Sequence, residues 1–201
     1  NLADEIIVNS REFKNKLKEY ANVNPTCINN PLNKSDILKL GNVKKKISFF
    51  KNKKSLKIIN LGRFTDQKNQ LLLLKTIKYL NNSIPVKIII AGRGVNYKNL
   101  KNYINKNKLK KNVLLINFLT NPYPLLKQAD VFILSSNYEG LPNVLLEAQC
   151  FKKLIISTKC PTGPKEILLN GKAGIFFKMN DYKDLSKKII YVYKNKNKFN
   201  K

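Results

Sequence analysis

The 201-residue sequence contains no histidine, and this absence removes several kinds of active site. A Ser-His-Asp triad, an imidazole general base and most catalytic zinc sites all require that side chain. No Asp-x-Asp triplet occurs either, so the sequence offers no obvious carboxylate pair for a magnesium ion. The three cysteines, Cys27, Cys150 and Cys160, form neither a C-x-x-C pair nor an even framework. Reduced thiols in a cytoplasmic protein are therefore expected.

Long hydrophobic runs are also missing. No apolar run approaches the roughly 20 residues that a helix needs to cross a bilayer. The N-terminus has no basic lead before a long apolar segment, so we predict no signal peptide. Hydrophobic residues make up 43% of the chain, as in a globular domain, and the length suits one domain or slightly more. The chain does not begin with Met, which suggests a part of a longer protein.

Acidic residues are scarce: 12 Asp and Glu face 39 Lys and Arg, for a formal net charge of +27. Lysines cluster at 44–46, 51–54, 106–111 and along the C-terminal tail. Such a field attracts anionic lipid, nucleic acid or a phosphorylated substrate. Lysines lie on every predicted polar face, however, and no nucleic-acid-binding signature occurs. Compositional bias is the simplest interpretation, an anionic membrane surface the second, and nucleic acid the last.

From residue 56 onward, short apolar segments alternate with helix-like segments. The apolar segments are continuous and rich in Ile, Val and Leu, which is typical of parallel strands covered on both faces. This alternation predicts an α/β fold: a doubly wound, Rossmann-like parallel sheet of about six strands over 56–201. We predict strands at 57–61, 86–91, 113–118, 131–134, 154–157 and 174–177, and helices near 69–80, 96–107, 124–129, 142–151, 164–169 and 182–193.

Residues 1–55 show another pattern. Positions 4–10 predict one strand, 11–20 one helix and 29–31 a turn, before a lysine-rich linker at 44–54. One strand and one helix cannot bury a core by themselves. We therefore interpret this part as the tail of a preceding domain, followed by a hinge.

The loop after the first predicted strand of the main domain carries Gly62, Arg63 and Lys68. A glycine at a strand end lets a ligand approach the backbone closely. The forked guanidinium and the lysine ammonium both suit a diphosphate. Taken alone, the two cations are equally compatible with an ordinary charged surface.

Three further loops follow strand ends. The Gly92-Arg93-Gly94 segment predicts either a weak phosphate-binding loop or a simple tight turn. Phe118 and Leu119 could lie against a planar base, although Phe118 is equally compatible with the core. The stiff Cys-Pro-Thr-Gly-Pro-Lys-Glu loop at 160–166 is either a structural turn or part of a site. All of these loops fall at the carboxyl ends of strands, the edge where such folds bind ligands.

The segment from Glu139 to Glu147 is the most informative. It follows the predicted strand 131–134, and Pro142 suits the first turn of a helix. Glu139 then precedes the helix, whereas Glu147 lies one to two turns inside it, where its carboxylate could accept hydrogen bonds from a ribose diol. The unpaired amides of 141–144 and the helix dipole together favour a phosphate group.

Three motifs together resemble one family. Gly62-Arg63-x(4)-Lys68, Glu139-x(7)-Glu147 and the Pro-Thr-Gly-Pro-Lys-Glu segment at 161–166 are similar to the donor-binding domain of family 4 glycosyltransferases, which have the GT-B fold. The resemblance implies retaining transfer of a sugar from a nucleotide sugar, with no essential metal and no other cofactor. UDP is the expected nucleotide because it is the commoner one in the family.

The resemblance also implies roles for individual residues. Arg63 and Lys68 would hold the diphosphate and neutralise the departing nucleotide, and Glu139 would contact the donor sugar and support charge at its reacting carbon. Glu147 would bind the ribose. The expected donor site comprises Gly62, Arg63, Lys68, Phe118, Leu119, Glu139, Gly140, Leu141, Pro142, Asn143, Val144 and Glu147, with Glu139, Arg63 and Lys68 as its catalytic residues.

Family members are about twice as long, so residues 1–55 are interpreted as the remnant of an N-terminal acceptor domain with its hinge. The loop style resembles bacterial enzymes of capsule, lipopolysaccharide and lipid-linked glycan synthesis, whose acceptors lie on the inner face of the cytoplasmic membrane. The expected partners are a nucleotide-sugar donor, a glycan or lipid-linked acceptor and an anionic membrane surface. Two alternatives remain: a non-catalytic nucleotide-sugar-binding or surface-binding module, and a sugar-nucleotide epimerase, against which the glutamate pair argues.

Overall fold

The structure, a computed structural model, describes residues 3–44, 47–80 and 83–199. Lys45 and Lys46, which belong to the predicted lysine cluster and hinge, lie outside these ranges. The outermost residues of the two predicted domains, at 1–2 and 200–201, lie outside them as well.

Strands of the main part of the chain form one parallel sheet, as predicted. Two short strands near the N-terminus pair separately, in parallel: β1 (Ile7–Val8) and β2 (Thr26–Cys27). The main sheet has the order β5-β4-β3-β6-β7-β8. Its strands are β3 (Leu56–Leu61), β4 (Val86–Ala91), β5 (Val113–Ile116), β6 (Val131–Leu134), β7 (Leu154–Thr158) and β8 (Ile175–Phe177).

Helices connect the strands, and their observed bounds lie within a few residues of the predicted ones. Each crossover helix lies on a face of the sheet, which gives the doubly wound arrangement that we predicted. The helices are α1 (Arg11–Ala21), α2 (Lys34–Gly41), α3 (Gln70–Leu80), α4 (Tyr97–Lys106), α5 (Tyr123–Gln128), α6 (Asn143–Cys150), α7 (Pro164–Ile167), α8 (Tyr182–Lys194) and α9 (Lys196–Phe199).

Hydrophobic residues are buried on both faces of the main sheet. Ile58 lies in the cluster that α3, α4 and α8 cover, whereas its neighbour Ile59 lies in the cluster that α5 and α6 cover. Ile88 and Ile89 alternate between the two clusters in the same way. Burying one such side chain contributes about 1.5–3 kcal/mol. This two-sided burial explains why the strands are continuous apolar runs without polar alternation.

The N-terminal part contains more structure than the sequence predicted. Two short strands and two helices are present where we expected one of each, and α2 was missed entirely. Asn33 begins α2 by accepting a hydrogen bond from the Asp36 amide. The prediction of a simple linker at 44–54 was also wrong in part. Phe50 lies in a short 3₁₀ turn and is only 4% exposed, because its ring joins the core beside α5 and α6.

The surface chemistry is dominated by unpaired lysines. Three ion pairs join Lys68 to Glu139, Lys165 to Glu12 and Lys196 to Asp130 within the described residues. All three cysteines are free thiols, as expected. Across the same part of the chain, no helix combines the length and the apolar character that crossing a membrane requires.

The strand order creates a switch point between β3 and β6. The chain proceeds from β3 to β4 on one side, and from β6 to β7 on the other. The loops that follow β3 and β6 therefore diverge and leave a crevice outside their carboxyl ends. In open α/β sheets this crevice is where ligands bind.

Candidate active site

The loops after β3 and β6 are hydrogen-bonded to each other across the switch point. The Ser135 hydroxyl donates to the carbonyl oxygen of Lys68 at 2.8 Å, and the Asn137 amide donates to the carbonyl oxygen of Gln67 at 2.8 Å. The Gln67 side chain returns a bond to the carbonyl oxygen of Tyr138 at 3.1 Å. The structure thus brings the first and second sequence motifs together in one wall of the crevice.

An ion pair between Lys68 and Glu139 lies at the centre of this wall. Lys68 Nζ lies 2.7 Å from Glu139 Oε1, and the two side chains are 16% and 6% exposed. The Ser136 hydroxyl donates to the same carboxylate oxygen at 2.5 Å. Solvent screens such a buried pair far less than a surface pair, so the attraction is strong. The pair therefore fixes one cation and one carboxylate at the carboxyl edge of the sheet.

Gly62 and Arg63 lie in the same loop as Lys68, directly after β3. The stem of Lys68 passes over Gly62, where an added Cβ would lie 3.6 Å from Lys68 Cδ. Arg63 is exposed, and its Nη2 lies 3.4 Å from Gln67 Oε1, a long and weak hydrogen bond. The guanidinium is therefore free to turn towards an anionic ligand.

The N-terminus of α6 lies next to the ion pair. Pro142 occupies the N-cap position, one residue before the helix, so our prediction that it begins the first turn was wrong by one residue. As the N-cap residue, Pro142 makes no side-chain capping bond, whereas the Leu145 amide bonds to the Pro142 carbonyl oxygen. Asn143 accepts a hydrogen bond from the Asn30 side chain at 2.9 Å. The uncapped first turn carries partial positive charge that suits an anion.

The loop at 160–166 braces the Glu139 loop from behind. The Thr162 hydroxyl donates to the carbonyl oxygen of Glu139. Gly163 adopts a left-handed φ of +74°, and a Cβ there would lie 1.9 Å from the Gly140 carbonyl oxygen. Only glycine fits this position. Of the two interpretations of this loop, the structure supports a structural turn that holds the site loop in place.

Glu166, at the end of the same motif, faces the N-terminal part of the chain. Its Oε2 accepts hydrogen bonds from the backbone amides of Arg11 and Glu12, at 3.0 and 3.4 Å. A carboxylate at a helix N-terminus satisfies amides that have no partner within the helix. Glu166 thereby fastens α1 to the main part of the chain.

Glu147 is the fifth residue of α6, which agrees with the prediction that it lies one to two turns inside the helix, and it is half-buried. Burial raises the pKa of its carboxyl group above the ordinary glutamate value. Its carboxylate takes part in no ion pair or hydrogen bond with the described residues. Burial, and then the nearby Glu147 carboxylate, also raise the pKa of Tyr123. Among the described residues, Glu147 is therefore an acceptor without a partner, near enough to Tyr123 to raise the pKa of the phenol.

Phe118 is 56% exposed, so the alternative that placed it in the core is wrong. The strand before it ends at Ile116, two residues earlier than predicted. The guanidinium carbon of Arg93 lies 5.4 Å from the centre of the Phe118 ring. Leu119 is half-buried and packs on the core, whereas the Phe118 ring is exposed beyond the carboxyl end of β5.

Gly92 lets the loops after β3 and β4 pack tightly. A Cβ at this position would lie 1.9 Å from the Gly62 carbonyl oxygen. Of the two interpretations of the 92–94 segment, close backbone packing in a tight turn therefore accounts for its first glycine.

A separate cavity of about 940 Å³ contains none of the predicted site residues. It lies between the ends of α3 and α4 and is lined in part by Lys75, Tyr103 and Tyr182.

Comparison with known proteins decides the family. The family model described as "Glycosyl transferases group 1" matches residues 43–201. The chain belongs to this family. The match covers the whole main sheet and both loops that form the ion pair, so every site residue predicted from the sequence lies inside the family domain, whereas Arg11, Glu12 and Asn30 lie before it. The match therefore establishes the broad family, glycosyl transferases group 1.

Curated relatives of this group 1 chain include two from different organisms. An uncharacterized glycosyltransferase of Methanocaldococcus jannaschii is 43% identical over 117 residues, 58% of this chain and 29% of the relative. The UDP-Gal:alpha-D-GlcNAc-diphosphoundecaprenol alpha-1,3-galactosyltransferase of Escherichia coli is 32% identical over 165 residues, 78% of this chain and 41% of the relative. The matched region is thus less than half of either relative.

Solved structures confirm the fold of the group 1 domain. A glycosyltransferase from Rickettsia africae superposes with a TM-score of 0.81 at 21% identity, covering 94% of this chain and 53% of that one. Anabaena HepE in complex with UDP and glucose gives a TM-score of 0.80 at 18% identity, covering 98% of this chain and 55% of that one. The α/β fold is therefore that of solved glycosyltransferases.

Sequence reasoning missed several residues that shape the site of this group 1 domain. Ser136 fixes the Glu139 carboxylate, and Asn30 bonds to the first residue of α6 from 113 positions away. A serine in a polar run and an asparagine in an Asn-rich chain carry no pattern of their own. Gly163 did lie in a recognised motif, but only the structure shows which backbone it must approach.

Proposed function

We propose that the chain forms the donor-binding part of a family 4 glycosyltransferase that transfers a sugar from a UDP-linked donor with retention of configuration. The acceptor would be a glycan or lipid-linked glycan of cell-surface polysaccharide synthesis. The observation that carries this proposal is the buried Lys68–Glu139 pair, at the switch point and beside the uncapped N-terminus of α6.

Binding of the diphosphate is assigned to Lys68, Arg63 and the first turn of α6. An ammonium group has three donors, and Glu139 occupies one, so two remain for phosphate oxygens. The exposed guanidinium of Arg63 can add a forked contact. Negative charge builds up on the diphosphate as its bond to the sugar breaks, and fixed donors stabilise that charge without reorganising. We propose that these groups do so without a metal ion.

Contact with the donor sugar is assigned to Glu139 and to the amides near Gly140 and Asn143. Lys68 and Ser136 both bind Glu139 Oε1, whereas Oε2 makes no hydrogen bond with the described residues. The second oxygen is thus free for a sugar hydroxyl. The carboxylate would also support positive charge at the reacting carbon as the nucleoside diphosphate departs.

The nucleoside is assigned to Glu147 and Phe118. Glu147 has no partner among the residues that the structure describes, and a ribose diol would supply two hydroxyl donors to its carboxylate. The exposed Phe118 ring, with Arg93 over it, offers a flat face on which a base could stack, next to the backbone of Leu119. UDP is favoured because solved HepE binds UDP and the Escherichia coli relative uses UDP-Gal.

The nature of the acceptor substrate is inferred from the names of the relatives. The Escherichia coli relative acts on a diphosphoundecaprenol-linked sugar, and another relative belongs to capsular polysaccharide biosynthesis in Staphylococcus aureus. A net charge of +27 would suit peripheral binding to an anionic membrane face from the cytoplasm. We also propose that residues 1–55 end an acceptor-binding domain and that 56–201 form the donor domain.

Turnover by the intact protein tests this proposal. The protein is incubated with UDP-, GDP- and ADP-linked sugars and an undecaprenyl diphosphate sugar, and released nucleoside diphosphate is measured. We expect release from a UDP-sugar and, by NMR of the product, an unchanged anomeric configuration. No turnover with any donor, or an inverted product, would contradict the proposal.

A second candidate is a nucleotide-sugar-binding chain without catalysis. The groups assigned to the diphosphate and the ribose, Lys68 and Glu147, would hold a nucleotide sugar whether or not transfer follows. Tight UDP-sugar binding without turnover in the intact protein would support this candidate over the enzyme.

A further inference from the structure

A second pocket lies beside the proposed donor site. Its volume is about 270 Å³, and the loop after β3, the start of α4 and the loop after β6 contribute to its wall. None of the residues assigned to the donor site lines it. Half of its lining consists of asparagines: Asn69, Asn96, Asn99, Asn137 and Asn180.

Two buried polar atoms of this pocket's lining residues have no hydrogen-bond partner within the described ranges. Gln70 is only 2% exposed; its Nε2 donates to the Arg63 carbonyl oxygen, but its Oε1 accepts nothing. The buried Thr65 hydroxyl is likewise unpaired. Leaving such an atom unpaired costs about 1–3 kcal/mol. Both atoms are oxygens with almost no accessible surface, so they lie behind the pocket surface and show that its wall is polar.

The hydrogen bonds within the pocket wall leave both acceptor oxygens and amide donors without partners among the described residues. Asn69 Nδ2 donates to Asn180 Oδ1 at 2.8 Å and to Asn137 Oδ1 at 3.2 Å, and Asn96 Nδ2 donates to Asp66 Oδ1 at 2.8 Å. The amides of Asn69 and Asn96 are thereby used inside the pocket wall, whereas the Nδ2 groups of Asn99 and Asn180 donate to none of the described residues. The side-chain oxygens of Asn69 and Asn96 and the second oxygen of Asp66 keep no partner among the described contacts. A complementary ligand therefore carries groups that both donate and accept, as hydroxyls do.

Charge narrows the class of ligand. No lysine or arginine lines the pocket, although 39 of the 201 residues are of these types, so a phosphate group finds no cation there. Asp66 is the single carboxylate of the lining, and no group of three or more His, Cys, Asp or Glu side chains suited to a metal occurs in the described residues. The pocket therefore suits a neutral ligand rich in hydroxyl groups.

We propose that this pocket binds one neutral sugar residue of a glycan, at a saccharide site separate from the donor site. The volume equals that of about nine waters at roughly 30 Å³ each, so several sugar hydroxyls can replace water molecules there. Leu71 and Leu100 supply apolar surface for the C–H face of the ring. The inference goes beyond the proposed function and does not depend on it.

Saturation-transfer NMR tests the proposal, with methyl glycosides of glucose, galactose and N-acetylglucosamine as probes of the intact protein. Asn99 lines the pocket, whereas Asn102 is an exposed residue on the same helix, α4, outside it. We expect Asn99→Leu to weaken binding of at least one glycoside about tenfold. Asn102→Leu and the donor-site variant Lys68→Ala should keep wild-type binding.

Four outcomes would overturn the proposal. These are no transfer from any glycoside, equal loss in Asn99→Leu and Asn102→Leu, loss only in Lys68→Ala, and displacement of the sugars by K⁺ or Ca²⁺. Thermal melting of each variant checks that it is folded. Because Asn99→Leu leaves the ion pair and α6 unchanged, nucleotide binding should be normal in it, which separates this test from that of the proposed function.

Discussion

Glu139 and Glu147 stand eight positions apart in one motif, yet they lie in opposite environments. Glu139 is held by a lysine and a serine on the same oxygen, and Thr162 holds its backbone carbonyl. Glu147 lies half-buried on α6 with no hydrogen bond or ion pair from the described residues. The first carboxylate is fixed before any ligand arrives, whereas the second is open to one.

The difference shows how one residue type serves two purposes. A carboxylate with a fixed position can support charge at a reacting atom, because it needs no reorganisation. A carboxylate without internal partners gains most from a ligand that brings hydroxyl donors. The environment of each side chain, rather than its spacing in the motif, separates the two roles.

The largest expected effect concerns the loop at 160–166, which holds the Glu139 loop in place. Gly163→Ala places a Cβ 1.9 Å from the Gly140 carbonyl oxygen at a left-handed φ, so we expect a loss of about 3 kcal/mol or more in unfolding free energy. Urea unfolding measures it. Gly140→Ala is the matched control, since its Cβ would lie 3.5 Å from Asn9 Oδ1, an ordinary contact. Equal stabilities of the two variants would refute the role of the brace.

The cation of the fixed pair should matter most for turnover. Lys68→Ala removes a positioned charge beside the proposed diphosphate, and we expect kcat/KM of the intact enzyme to fall by about 100-fold or more. Steady-state kinetics with the preferred donor measures it. Lys165→Ala, which breaks a longer and less buried pair at 3.8 Å, should leave the kinetics unchanged. Wild-type kinetics in Lys68→Ala would remove this lysine from the mechanism.

Neutralising the fixed carboxylate should cost stability as well. Glu139→Gln leaves the mostly buried Lys68 ammonium without its counter-charge, and we expect a loss of about 2 kcal/mol. Lys165→Gln, whose pair with Glu12 is longer and more exposed, should lose less than about 1 kcal/mol. If denaturant midpoints place both variants at the same stability, the pair is no stronger than a surface contact.

Replacing Glu147 should change the free energy of unfolding least, and the variant should be more stable than wild type rather than less stable. Because burial raises the pKa of Glu147, its carboxyl group binds a proton more tightly in the folded state than in the unfolded chain. Stability therefore falls as pH rises from the ordinary glutamate pKa through the raised one. Glu147→Gln should be more stable than wild type above this interval, by less than about 1 kcal/mol since solvent screens the group, and equal to it below.

Urea unfolding of both proteins over a pH series measures this difference. A gap between wild type and Glu147→Gln that stays constant across the series would mean that burial does not control the carboxyl group. A wild type that is more stable than Glu147→Gln at neutral pH would show that an internal partner stabilises the charged form.

The main sheet was predictable because its signals are local. Strands such as Val86–Ala91 and Val131–Leu134 are continuous apolar runs, and the structure places both within the predicted bounds. The edge that gathers Gly62, Lys68 and Glu139 followed from strand polarity alone, because the carboxyl ends of parallel strands share one edge.

Contacts between distant residues were not predictable. Asn30 bonds to Asn143, and Thr162 bonds to the carbonyl oxygen of Glu139, in a chain where asparagine and threonine carry no periodic signal. Helix α2 was missed because eight residues with few apolar positions give a weak period, and packing against α5 and α6 stabilises it. The burial of Phe50 was hidden by its lysine-rich neighbours.

The most direct test of the account is calorimetry of this chain with UDP, GDP and ADP at physiological salt, where the general positive field is screened. The account predicts that UDP binds more tightly than the other two nucleotides. It also predicts that Glu147→Ala weakens UDP binding about tenfold, because the ribose diol loses its acceptor. Equal and weak binding of all three nucleotides, fading as salt rises, would show that only net charge is being measured and would contradict a shaped donor site.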